Sequence, residues 1–355
     1  MTDNLARADA GRPGALLTVK GLVKHFPVGQ TLLGRGALVR AVDGVDFAVM
    51  PGETLGIVGE SGCGKSTAAR LVMQLMQPTA GEILFDGKVV GSTELPLKEF
   101  RRQVQMVFQD SYASLNPRLT TEGSIAFGPQ VHGVGQREAI DRTHDLLRRV
   151  GLEPSRFAGR YPHELSGGQR QRVNIARALA FEPKLLILDE AVSALDKSVE
   201  AQVLNLLLDL KDTFKLTYVF ISHDLDVVRF ISDRVLVMYL GRVAELGPSA
   251  TVLDDPKHPY TQALLASVPN MDPSRRATEA PLAGDPPNPI NPPSGCRFHP
   301  RCKLAEGLCS KTEPLLDVVS PEHSVACHAA RPGSGHSRAI SGRPIHADLV
   351  RGETA

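Results

Sequence analysis

Residues 59–67 read GESGCGKST, a spacing of glycines, lysine and hydroxyls suited to gripping a polyphosphate. Gly59, Gly62 and Gly64 free the backbone to turn its N–H groups inward around phosphate oxygens. Lys65 is placed to reach the β- and γ-phosphates, Ser66 to offer a hydroxyl to Mg2+, and Ser61 and Thr67 complete the loop. LLILDE, residues 185–190, adds carboxylates to the same chemistry. Asp189 suits the metal, and Glu190 suits an attacking water. A strand-end acidic pair by itself equally caps a following helix. Beside the glycine loop it predicts a P-loop nucleoside triphosphatase, without saying which.

A second set of reactive groups lies near the C-terminus. Of five cysteines, four are Cys296, Cys302, Cys309 and Cys327. The fifth, Cys63, sits inside the glycine loop, where its small side chain fills space. The four are separated by 5, 6 and 17 residues and lack the tight C-x2–4-C pair of a structural zinc site. Wide gaps suit a larger object, a [4Fe–4S] cluster, whose irons each take one cysteine. Zinc, with His299, His323 or His328, is one alternative, and free thiols in a folded tail are another.

These groups need elements to place them. TLGIVG (54–59) is a short apolar run ending on the first loop glycine, and KSTAARLVMQLMQ after it has helical character. KLLILDE (184–190) is an unbroken apolar run, hence a buried strand. LLTVKGL (15–21), AVDGVDFAVM (41–50), AGEILFDGKVV (80–90), VQMVFQ (104–109), LTYVFISHD and DRVLVMYLG read as further strands. In REAIDRTHDLLRRVGL, Ile140, Leu146, Leu147 and Val150 share one helical face, and Gly151 ends it. Residues 110–178 are therefore expected as a helical insert. VEAQVLNLLLDLKDTF repeats apolar residues from Val199 to Phe214 at helical spacing. Strands alternating with helices predict an α/β fold on a mainly parallel sheet.

Composition narrows the classes. The 355 residues are 42% hydrophobic, enough for a normal core, and the length suits about two domains. Lys+Arg 40 against Asp+Glu 39 leaves a net charge of +1, which gives no electrostatic reason for a nucleic-acid partner. No apolar run approaches the roughly 18 residues that span a bilayer, and MTDNLARADAGRPG lacks a signal-peptide core. A cytosolic, soluble chain is expected, where clustered cysteines favour metal or redox chemistry over disulfides. Eight prolines between Pro269 and Pro293 predict a linker or extended segment, and the Gly/Ser/Arg/His-rich residues 331–355 a disordered tail. The expected division is 15–268, then 269–330 with the cysteines, then that tail.

LSGGQRQR (165–172) narrows the reading further. At this point the chain resembles the nucleotide-binding subunit of ATP-binding cassette (ABC) transporters. The family's motifs stand in the family's order across residues 15–268. They are Phe26 in KHF, the P-loop, Gln109 in FQD, the signature Leu165–Gln169, Asp189 with Glu190, SALD at Ser193–Asp196, and His223 in SHD. The resemblance implies a P-loop NTPase nucleotide-binding domain, with a mainly parallel sheet plus an antiparallel β part. A helical subdomain at about 110–178 and a small cysteine-containing C-terminal extension complete it.

The resemblance also implies roles. Phe26 stacks on adenine, Gln109 senses the γ-phosphate and Mg2+, Glu190 acts as the base, and His223 contacts the γ-phosphate. Leu165, Ser166, Gly167, Gly168 and Gln169 meet ATP held by another subunit's P-loop. Ser166 and its neighbours open a helical run, whose dipole favours phosphate. Hydrolysis then needs a head-to-tail pair, with the D-loop residues Ser193 and Asp196 beside it.

Three stretches resemble the oligopeptide/dipeptide/nickel importer subfamily. They are DSYASLNPRLT (110–120), DPKHPYTQALLASVP (255–269) and CRFHPRC (296–302), although Ser111 and Lys303 replace commoner prolines. That implies peptide uptake at the cytoplasmic side of the cell membrane, with two membrane permease subunits, a second ATPase subunit (a different chain, or another copy of this one) and an external solute-binding protein. It also implies ATP and Mg2+ as cofactors, and a [4Fe–4S] cluster on the four cysteines. Alternatives are an importer ATPase for nickel or a sugar, or a soluble non-transport cassette ATPase. The Pro- and Cys-rich tail is unlike a sugar importer's β-rich domain, and one cassette without heptads is unlike the soluble class.

Overall fold

The computed structural model describes residues 11–29, 37–268, 284–285 and 287–339, and two sheets organise them. The larger has eight strands. Five are parallel neighbours: β9 (Arg234–Tyr239), β3 (Thr54–Val58), β8 (Thr217–Ile221), β7 (Leu185–Asp189) and β6 (Val104–Val107). Every residue of β3, β7, β8 and β9 is buried. Their unbroken apolar sequences reflect a sheet covered on both faces.

The smaller sheet is antiparallel, in the order β2 (Ala37–Val49), β1 (Leu17–Val28), β4 (Ala80–Phe85), β5 (Lys88–Val89). Its inner residues Leu17, Val19, Phe47 and Phe85 join Leu55 and Ile57 of β3 in one core. A second core lies under the helices and holds Leu186, Leu188 and Phe220 from the alternate strand positions.

The insert is helical: α3 (Thr121–Val131), α4 (Gln136–Arg149), the single turn α5 (Pro154–Phe157) and α6 (Gly167–Leu179). In α4 the buried residues are Ala139, Thr143, Leu146 and Leu147, while Ile140 is only half-buried. The face is rotated toward Thr143 because its hydroxyl is satisfied by the Ala139 carbonyl at 2.7 Å. Gly151 ends the segment at φ 75°.

The C-terminal part departs most from expectation. Strands β10 (Arg242–Pro248), β12 (His323–Val325) and β11 (Asp317–Ser320) extend the main sheet antiparallel from β9. The extension is therefore stitched into the ATPase sheet, through Glu245 opposite Val325 and a fully buried His323–Glu245 pair at 2.8 Å. Residues 331–339 also pack rather than trail: His336 is buried, and its ring meets the Leu304 carbonyl at 2.9 Å. Most of the proline-rich stretch, and residues 340–355, lie outside the described residues. No described helix is long and apolar enough to cross a membrane.

Candidate nucleotide site

Four adjacent parallel strands end along one edge of the sheet, and each delivers a group there. The glycine loop follows β3, Gln109 follows β6, Glu190 follows β7 and His223 follows β8. Open α/β sheets bind ligands at the carboxyl ends of their strands because the loops there converge.

The loop geometry needs its glycines. Gly59 and Gly64 have φ of 148° and 110°, where side chains are strained. A Cβ on Gly59 would stand 2.2 Å from the Met238 carbonyl oxygen, and one on Gly64 the same distance from that of Ala41. Ser61 and Gly62 lie exposed on the loop, and Thr67 is half-buried in α1 (Lys65–Val72). Lys65 opens that helix, with Nζ donating to the Gly59 and Glu60 carbonyls at 2.7 and 3.1 Å. Cys63 is buried in the core below the loop, and burial pushes its thiol up.

Of the three groups expected at Mg2+, Ser66 and Asp189 meet directly, while Gln109 reaches Glu190. Ser66 Oγ donates to Asp189 Oδ1 at 2.8 Å. Asp189 is 3% exposed, and burial raises its carboxyl, against the pull of the Ser66 hydroxyl and the Arg70 charge. Hydroxyl, carboxylate and the Gln109 amide offer hard oxygen donors, the chemistry Mg2+ prefers while keeping water and phosphate as further ligands. The residues present fit that ion.

Glu190 is held from several sides. Its carboxylate accepts from Gln109 Nε2 at 2.8 Å and lies 3.5 Å from His223 Nδ1. Its N–H donates to Ile221 on β8 at 3.0 Å, and its carbonyl accepts from Ser193 Oγ at 3.0 Å. It also sits at φ 48°, a conformation non-glycine residues hold only when surroundings impose it. The carboxylate thus stands at the strand end with partners from two motifs, and its backbone is held by a third.

The signature is built separately. Ser166 is the exposed N-cap of α6, its hydroxyl accepting from Gln169 N at 3.3 Å while Gln169 Oε1 accepts from Ser166 N at 2.9 Å. Such a capping box stabilises a helix start by about 1 kcal/mol and leaves its positive end facing outward. Leu165 is buried beneath it. Gly167 opens the helix, and Gly168 lets α6 meet α7 (Lys197–Phe214), since a Cβ there would stand 2.4 Å from Val199 Cγ1. Among the described residues, hydrogen bonds of Leu165–Gln169 stay within α6 and the turn before it. Asp196 caps α7 through Val199 N at 3.0 Å, and that bond lowers its carboxyl pKa. Phe26 lies half-buried in β1, with Lys24 Nζ 5.3 Å over its ring. The structure brings together Lys65, Ser66, Gln109, Asp189, Glu190 and His223; among the described residues no hydrogen bond or ring contact joins the signature or Phe26 to them.

Motif spacing gives no hint of Glu60's partners. Its N–H donates to Tyr260 Oη at 2.9 Å, and its carboxylate meets the Arg301 guanidinium. The only signal for Arg301 is its place inside CRFHPRC.

Cys296, Cys302, Cys309 and Cys327 line one small cavity of about 20 Å3, beside His258, His299, His328 and His336. The expected metal centre, a [4Fe–4S] cluster or zinc, is not supported here. Among the described residues no group of three or more His, Cys, Asp or Glu could hold a metal ion. His323, one zinc candidate, pairs with Glu245 in the sheet instead, and His299 and His328 each engage a backbone carbonyl. Burial pushes the Cys296 thiol up to about 12 and raises Cys302 and Cys327 as well.

Comparison with known proteins agrees with this geometry. The family "ABC transporter" matches residues 42–193, and "Oligopeptide/dipeptide transporter, C-terminal region" matches 244–309. The chain is 51% identical over 324 residues to a probable peptide ABC transporter ATP-binding protein, y4tS, of Sinorhizobium fredii, covering 90% of this chain and 91% of that one. It is also 51% identical to the oligopeptide transport ATP-binding protein AppF of Bacillus subtilis, covering 90% and 98%. Among solved structures it resembles the ATP-binding cassette MJ0796 in a dimeric post-hydrolysis state with ADP and Pi. The TM-score is 0.58 at 30% identity, covering 66% of this chain and 98% of that one.

Proposed function

This chain belongs to the ABC transporter family, in its oligopeptide/dipeptide branch, and we propose from that membership how its residues power peptide import. It is the ATP-binding, ATP-hydrolysing subunit of a peptide importer. The observation that carries the mechanism is the convergence of Lys65, Ser66, Gln109, Asp189, Glu190 and His223 at four neighbouring strand ends.

In this reading the loop N–H groups and Lys65 hold the β- and γ-phosphates. Ser66, Asp189 and Gln109 would hold Mg2+, which would neutralise charge on the phosphates. Glu190 takes the proton of the attacking water, and His223 and Gln109, both within reach of its carboxylate, keep that carboxylate aimed. Phe26 stacks on adenine. The outward-facing Ser166 helix start serves ATP on a partner subunit, which the dimeric state of the related cassette supports. Ser193 and Asp196 border that junction.

Transport requires membrane subunits. Tyr112, Phe127 and Val131 expose large apolar side chains in the helical subdomain, a surface suited to short permease helices at the cytoplasmic face of the membrane. A second ATPase subunit and an external peptide-binding protein complete the assembly. Vesicles holding that assembly, with ATP inside and the loaded binding protein outside, should accumulate labelled oligopeptide. Lys65→Ala in this subunit should remove most of the uptake, and undiminished uptake by that variant would sink the reading.

The four cysteines form the ligand set of a [4Fe–4S] cluster. Two features support this. All four line one cavity, and Cys302 Sγ accepts the Leu304 N–H at 3.4 Å. Such bonds stabilise anionic sulfur, as a cluster requires. Protein prepared without air should hold iron and acid-labile sulfide. Cys302→Ser should lose both while ATP still binds. Colourless, iron-free wild-type protein from such a preparation would rule the cluster out, and stoichiometric zinc would assign the thiols to that metal.

A further inference from the structure

We infer that Arg301 is a positioning residue for the phosphate loop, holding the Glu60 carboxylate neutralised and turned away from bound triphosphate. The inference rests on the ATP-binding reading of residues 59–67 and concerns a group outside its motifs.

Glu60 directly follows the first glycine of the loop. It is gripped at both ends by residues from the C-terminal part of the chain. Arg301 Nη1 meets Oε2 at 2.8 Å and Nη2 meets Oε1 at 3.0 Å, a two-pronged pair. Tyr260 Oη accepts the Glu60 N–H at 2.9 Å. The Arg301 side chain is 5% exposed and that of Glu60 21%, so water screens the pair poorly. Arg301 is placed by Tyr239 Oη at 3.5 Å, and Tyr239 packs against Tyr260 and Phe298 with centroids 4.5 and 5.3 Å apart. This aromatic group joins the sheet, the α10 helix (Pro259–Ala266) and the cysteine segment.

The link runs on to the phosphate-binding groups. The Glu60 carbonyl accepts from Lys65 Nζ at 3.1 Å and from Cys63 N at 3.2 Å. The Tyr260 contact holds this backbone whether or not the side-chain pair forms. The side-chain pair then acts through charge. An unpaired carboxylate in a loop that must accept several phosphate charges repels them strongly in a partly buried setting. A guanidinium is suited to prevent this, because its planar fork fixes both carboxylate oxygens, which an ammonium does not. The cysteine segment thus contributes directly to the ATP site it flanks.

The test is Mg·ATP affinity of the full-length chain by calorimetry, for Arg301→Gln, Glu60→Gln, the double variant and Lys65→Ala. Arg301→Gln should weaken binding about tenfold, and Glu60→Gln should stay within about twofold of the wild type. In the double variant, with no carboxylate left to neutralise, affinity should return to within about twofold of the wild type. A loss that persists in the double variant, or a tenfold loss in Glu60→Gln alone, overturns the inference. So does unchanged affinity in Arg301→Gln while Lys65→Ala fails to bind. If Lys65→Ala binds as the wild type does, the ATP reading of the loop itself falls.

Discussion

Glu190→Gln should lower ATP turnover of the assembled importer by at least ~10²-fold while leaving ATP binding in place. The residue's backbone, at φ 48°, is fixed by Ile221 and Ser193 through bonds that the substitution does not touch. An amide oxygen can still accept from Gln109, so the site keeps its shape. Only the proton acceptor disappears. Phosphate contacts through Lys65 and the loop remain, so the variant should accumulate as an ATP-bound closed pair, visible as a larger species by size-exclusion chromatography. Near-normal turnover would remove Glu190 from the base role and shift attention to its neighbour His223, 3.5 Å away.

Much of this site can be read from local signals, because each half is a short motif at the end of a strongly patterned element. The run TLGIVG requires a buried strand, GESGCGKST requires positive-φ turns, and both are needed within one span of chain. The pairing of Ser66 with Asp189 crosses 123 residues yet follows from parallel neighbours ending at the same edge. What local pattern does not carry is contact between distant segments without shared periodicity. The short hairpin β11–β12 is too brief to show alternation, and it forms because β10 offers an open edge. Arg301 is invisible as a loop partner for the same reason: its guanidinium crosses 241 positions to reach Glu60. The packing of residues 331–339 likewise rests on distant contacts, the buried His336, the Arg331–Asp317 pair and the Ser337 bond to Glu306, in a stretch whose composition reads as tail.

Ser166→Arg should abolish hydrolysis at a P-loop that is not its own. The signature serine is an exposed cap with its bonds inside α6, whereas Lys65 is buried against its own loop. The two residues therefore serve different ATP molecules if chains pair head to tail, and the positive end of α6 becomes useful only across that junction. An arginine at the cap blocks the approach of the partner's γ-phosphate but leaves the variant's own P-loop intact. Lys65→Ala does the reverse, leaving its signature intact for the partner.

Mixing those two variants of the isolated chain tests the composite site most directly. Ser166→Arg and Lys65→Ala should each be inactive alone, because every pair then lacks either both signatures or both lysines. In an equal mixture about half the pairs are mixed, and each such pair holds one complete site of two, so about a quarter of wild-type turnover should return. Turnover no greater than the average of the two separate variants, alongside a wild-type rate per chain that does not change with dilution, would contradict the head-to-tail account.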